Sequence, residues 1–228
     1  MKKGHLIGFA ITLLLGFNAV GQGKKYIQLH DEFYDEKPVH FGFMFGLTSS
    51  NYYANGVPSV LVNSVTGEPL ALTSPKTFGF QIGGIVNYAL SKHVELKSGL
   101  NIALYDRQIQ FANEDLISRE STWLEIPLLV KFRSVRRQNH RMYLISGLKL
   151  GLEANVKKKN TAVTANTSEL SFEYGIGFER FYRFFKFSPE IRISHGLNNL
   201  FVPPGTANSY SKLSQLNSHT ISLIFNFE

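Results

Sequence analysis

The sequence predicts an all-β protein: an eight-stranded antiparallel transmembrane β-barrel of the outer-membrane type, behind a cleaved signal peptide. Three observations carry this. Past residue 38 apolar side chains recur at every second position, the period of a strand rather than a helix. Each run is about ten residues long, which suits a tilted strand crossing the hydrocarbon. The connections alternate between short and long, as the turns and loops of membrane barrels do.

Lys2 and Lys3 open the chain, an apolar stretch runs from Leu6 to Phe17, and small residues follow at Ala19 and Gly21. A basic region, a short apolar region and a small-residue exit describe a secretory signal peptide over residues 1–21. The stretch is too short for a spanning helix, which needs about 20 apolar residues. Residues 22–37 then form a periplasmic N-terminal segment, and residues 38–228 the barrel.

In the first run Val39, Phe41, Phe43, Phe45 and Leu47 share one face, opposite His40, Gly42, Met44, Gly46 and Thr48. The second sets Phe78, Phe80, Ile82, Val86 and Tyr88 against Gly79, Gln81, Gly83 and Asn87. Only Ser91, Lys92 and His93 separate it from the third, Val94 to Leu104, so the two make a tight hairpin. The fourth (Leu124 to Phe132) and fifth (Met142 to Leu152) flank a basic turn from Ser134 to Arg141. The sixth (Leu170 to Phe178), seventh (Phe187 to Leu197) and eighth (Ile221 to Phe227) complete an even count, which puts both chain ends on one side. Long connections cover residues 49–76, 107–119, 154–168 and 198–216. Pro127 and Pro189 each remove a ladder donor within a run, which marks a bulge or distorted register.

A soluble lipocalin-like barrel would turn its apolar face inward. Here the polar face is rich in glycine and small residues while the apolar face is bulky, as fits a small barrel wetted by lipid outside. Eight strands enclose room only for side chains. The inward charges Glu95, Lys97, Glu125, Lys131, Lys149, Glu173, Glu190 and Arg192 therefore pair with one another, since an unpaired buried charge is very costly.

Composition removes several function classes. The chain has no cysteine, so it forms no disulfide and offers no thioether acceptor for a lipoprotein anchor. Removing residues 1–21 takes away two lysines and no acid, lowering the formal charge from +7 to +5. No cofactor, metal-ligand spacing, nucleophile motif or phosphate-cradling loop is present, and no nucleic-acid partner is expected. A barrel enzyme acting on lipid A would need a Ser and a His in concert, but the adjacent Ser194 and His195 point to opposite faces of a strand. The chain therefore reads as a non-enzyme.

Arg133, Arg136, Arg137 and Arg141 gather at one short turn and Arg180, Arg183 and Lys186 at the next, forming a periplasmic basic rim. This rim suits lipid phosphates, an acidic periplasmic partner, or the chain's own acidic stretch of Asp31, Glu32, Asp35 and Glu36. Lys157, Lys158 and Lys159 suit lipopolysaccharide phosphates at the outer face.

The stretches WLEIPLLVKF (123–132), RRQNHRMYLISG (136–147) and above all FYRFFKFSPEIRISHGLNNL (181–200), with HFGFMFGL (40–47), resemble the PorT family of Bacteroidota outer-membrane barrels, called SprT in gliding species. The resemblance implies a component of the type IX secretion system, needed to export proteins with a C-terminal sorting domain and linked to gliding motility in some relatives. It implies other subunits of that system as partners and carries over no catalytic residues. The alternative is a generic outer-membrane barrel of structural or adhesive role.

Overall fold

In the computed structural model the described residues are 29–56, 72–111, 117–154, 164–202 and 213–228. The signal-peptide expectation and the Lys157–Lys159 expectation fall outside them.

Among the described residues eight long strands form the barrel sheet, with the two-residue strand Leu72–Thr73 added at one end: β1 (Val39–Gly56), β2 (Thr77–Ala89), β3 (Val94–Phe111), β4 (Ile117–Arg133), β5 (His140–Glu153), β6 (Ser168–Phe181), β7 (Lys186–Gly196) and β8 (Leu213–Phe227). Each pairs antiparallel with its neighbour in sequence. The sheet closes where β8 meets β1, from Phe43 opposite Phe227 to Asn55 opposite Gln215. Closure leaves no unpaired edge, the condition for sheet backbone to cross hydrocarbon. Among the described residues no helix is long and apolar enough to span a membrane; the crossing is made by strands.

The faces are inverted relative to a soluble barrel. Phe78 is 86% exposed, and Phe41, Phe43, Leu100, Leu128, Leu144 and Ile191 also point outward, whereas Glu95 is fully buried. Such an outer wall is stable in contact with acyl chains and not with water.

Three expectations about the strands need correction. They run from 11 residues in β7 to 18 in β1 and β3, longer than the ten-residue runs. The region read as a loop at 107–119 is largely a ribbon, in which β3 and β4 stay paired from Asp106 opposite Glu120 to Ile109 opposite Ile117. Outward residues here are polar, with Gln108 and Ser118 both donating to the Asp106 carboxylate. The apolar alternation thus stops while the hydrogen-bond ladder continues. The prolines, in turn, shift no register. The offset between β4 and β5 is constant through Pro127, and that between β7 and β8 through Pro189. Each lies at a two-residue gap in the other ladder, between β3 and β4 for Pro127 and between β6 and β7 for Pro189. The lost donor costs local pairing only.

Short turns close one end of the barrel. Between β4 and β5, Arg137 and His140 exchange both backbone hydrogen bonds around Gln138, which takes a positive φ of 57°. The same end receives residues 30–37, which turn through Tyr34–Glu36 and enter β1. We call residues 30–37 the strap.

Candidate functional site

The lumen is built from the inward positions of every strand, and large side chains fit because the wall opposite them is bare. At Gly177 a Cβ would collide with the Tyr143 ring, and at Gly151 it would stand 3.2 Å from the Trp123 ring. Into the space so kept come the charges. Across the middle, Lys149 bridges Glu125 at 2.8 Å and Glu173 at 3.1 Å. Arg192 continues from Glu173 at 3.1 Å to Glu190 at 2.5 Å, and Lys97 closes the series on Glu190 at 3.1 Å. Tyr105 donates to Glu125 and Tyr143 to Glu190, both at 2.8 Å, and Lys97 also donates to Asn226 at 3.0 Å. These hydrogen bonds offset the desolvation that makes isolated buried ions costly.

Towards the long-loop end, Arg107 pairs with Glu169 at 3.3 Å. Its guanidinium lies 4.5 Å from the Tyr105 ring centre, with Tyr52 and Trp123 further out. Towards the short-turn end a second cluster forms. Glu179 takes Lys131, Arg141 and Lys186, while Glu95 takes Lys131 and Arg133. The wall made by β1 and β2 turns no carboxylate, lysine or arginine inward; Thr48, Ser50 and Asn87 are buried there with polar atoms that find no protein partner, positions usually served by buried water.

The strap caps the second cluster. Tyr34 is buried against the His40 ring, with centroids 3.8 Å apart. Its hydroxyl donates to Glu228 at 2.7 Å and accepts from Lys186 at 2.5 Å. Asp35 bridges Arg141 at 2.7 Å and Arg133 at 3.3 Å. His30 donates its backbone N–H to Asn139 at 2.8 Å, and Arg136 holds the carbonyls of His30 and Asp31. Lys186 also pairs with Glu228 at 2.8 Å, so the ion pairs named here set eight cations against seven glutamates, and Asp35 is the eighth carboxylate. Burial and then the Glu228 carboxylate push the Tyr34 phenol far above its ordinary range, so it stays a donor. Burial would raise the Glu228 carboxyl, but Lys186 and Lys131 outweigh it and hold it at about 2.

The structure places Glu95, Lys97, Glu125, Lys131, Lys149, Glu173, Glu190 and Arg192 together in the lumen, all buried and all in ion pairs. The basic rim divides. Arg133, Arg141 and Lys186 are not on it: strand alternation continues to the barrel mouth and turns them inward. Arg136 is taken up by the strap, and Arg137, Arg180 and Arg183 remain exposed. Sequence reasoning left out Arg107, Glu169, Glu179, Glu228 and Tyr34. Arg107 and Glu179 had the inward parity of their strands as a signal and Tyr34 had none, whereas Asp35 belongs to the acidic stretch that the sequence offered to the basic rim, and it pairs there with Arg141 and Arg133. Among the described residues no group of three or more His, Asp or Glu could hold a metal ion.

A closed barrel of eight strands, apolar outside and ionised within, defines a transmembrane barrel of the outer-membrane class. Residues 7–202 match the family model described as "Outer membrane protein beta-barrel domain", and the chain belongs to that family. No curated protein matches it in sequence. Among solved structures it is similar to Neisserial surface protein A (8% identity, TM-score 0.48, covering 83% of this chain and 98% of that one). It is also similar to OprG from Pseudomonas aeruginosa (12%, 0.41, 83% and 91%) and to Ail, the attachment invasion locus protein of Yersinia pestis (12%, 0.36, 84% and 98%).

Proposed function

We propose that this protein is a non-enzymatic outer-membrane component of type IX secretion, acting in assembly or anchoring and not as the conduit. The observation that carries the second half of this reading is the lumen. Ion pairs run across it from Glu125 to Lys97, and the strap covers one mouth, so nothing of protein size passes through. Its work is then done by its surfaces. The first half rests on the resemblance of residues 123–132, 136–147 and 181–200 to the PorT and SprT barrels.

In this reading the short turns and both chain ends face the periplasm, as short turns do in barrels of this class. Arg137, Arg180 and Arg183 are then presented to periplasmic subunits or to lipid phosphates, the long loops to lipopolysaccharide. Deleting the gene and assaying the medium for cargo with a sorting domain is the test. Retained cargo inside the cell supports the secretion role; unchanged export leaves a structural or adhesive barrel in its place. Charge reversal of Arg137 and Arg183 then separates subunits from lipid, since only docking to an acidic partner loses co-purification.

A further inference from the structure

Outside the lumen, a polar cluster stands at the edge of the apolar wall. His195 on β7 and His219 on β8 stand directly opposite each other in register, and both side chains point outward. Their Nδ1 atoms are 3.1 Å apart and their ring centres 4.7 Å. On the far side of His195, Nε2 meets the Tyr174 hydroxyl at 3.3 Å, and the two rings stack. Asn51 of β1 lies opposite His219 on its other flank. The next outward residues towards the short turns are Ile193 and Ile221, so the cluster sits at the edge of the apolar band.

We propose that His195 and His219 are the protein ligands of a site for a divalent transition metal of the zinc and copper class. Imidazole nitrogen is the preferred donor for such ions. A tetrahedral zinc with bonds of about 2.0–2.1 Å holds two nitrogens roughly 3.3 Å apart, close to the spacing found here. Two nitrogens facing each other this closely need a proton or a cation between their lone pairs. The Tyr174 contact suits the orienting partner of a metal-bound histidine: in the metal-bound tautomer the hydroxyl oxygen accepts the Nε2–H hydrogen bond and Nδ1 is left as the lone-pair donor. Backbone pairing fixes both strands, so the two rings are brought together before any ion arrives. With two protein ligands the remaining positions stay open to water or to an oxygen anion at the membrane surface. The site therefore binds reversibly and is distinct from the lumen network and from the secretion role.

The experiment uses the mature chain folded in detergent micelles, with Zn2+ titrated by calorimetry and Cu2+ followed by electron paramagnetic resonance. Wild type takes up one Zn2+ that the double variant His195→Gln, His219→Gln does not. Each single variant binds at least about tenfold more weakly, and Tyr174→Phe by roughly tenfold, the usual loss when an orienting partner is removed. The Cu2+ spectrum shows two coordinating nitrogens in wild type and one in each single variant. Histidine nitrogen NMR on the unmodified protein reads the same event without mutation, as two Nδ1 signals moving together on addition of Zn2+. Equal uptake by wild type and double variant, or no movement of those signals, overturns the site and leaves a simple imidazole–imidazole hydrogen bond.

Discussion

The middle of the lumen and its short-turn mouth use the same chemistry to different ends. In the middle, Glu125, Lys149, Glu173, Arg192, Glu190 and Lys97 all belong to barrel strands, and their ion pairs form when the barrel closes. At the mouth the cluster around Glu179 and Glu95 is completed from outside the wall, by Asp35 and Tyr34 of the strap. The middle is thus a permanent plug, whereas the mouth carries a separable cap that balances its charge.

The largest effect comes from breaking the middle. Glu190→Ala leaves Lys97 and Arg192 short of a carboxylate in a buried site, which costs about 3–5 kcal/mol. Denaturant unfolding in lipid vesicles measures this, and the loss is the same whether or not the strap is present. Gly177→Ala comes next. Its methyl meets the Tyr143 ring, and overpacking of this kind costs about 1–3 kcal/mol. If the middle were loosely packed, the variant would unfold like wild type.

Tyr34→Phe removes hydrogen bonds to two charged partners at the mouth, where a single bond of this kind is worth about 1.5–3 kcal/mol. It loosens the strap, read as faster proteolysis ahead of β1, while global unfolding changes little. Asp35→Asn acts in the same direction with a smaller effect, about 1 kcal/mol, because Asp35 is partly exposed and screened.

Acid acts on the cap through Glu228. Its carboxyl is held at about 2, below its ordinary value of 4.5. The stabilisation is therefore complete above pH 4.5 and is lost as pH falls through about 2. A fluorophore at position 32 reports strap release in that window and not between pH 5 and 7. The smallest effect is on permeability. Deleting residues 29–37 leaves ion conductance in planar bilayers close to that of the intact protein, because the middle still fills the lumen. A large new conductance would show that the cap alone had been sealing the barrel.

The middle was legible in the sequence because inward parity and charge coincide there: Lys97, Glu125, Lys149, Glu173, Glu190 and Arg192 alternate with bulky apolar neighbours, as do Glu95 and Lys131 nearer the mouth. The mouth was less legible. Arg133, Arg141 and Lys186 read as surface charges because each adjoins a short turn, yet the strands carry them inward. Tyr34 and Asp35 have no period to read, and the polar ribbon from Asp106 to Ile109 has a strand's ladder without a strand's apolar face.

By itself, the sequence determined the count of strands, which face meets lipid, and the closure that leaves no edge. These follow from a two-residue repeat and from the need of every backbone group in hydrocarbon for a partner. Which ions pair, how the strap seats, and which histidines meet were decided only by the tertiary structure. Tyr34 and Glu228 lie 194 positions apart, and they come within hydrogen-bonding distance only after β8 has closed on β1.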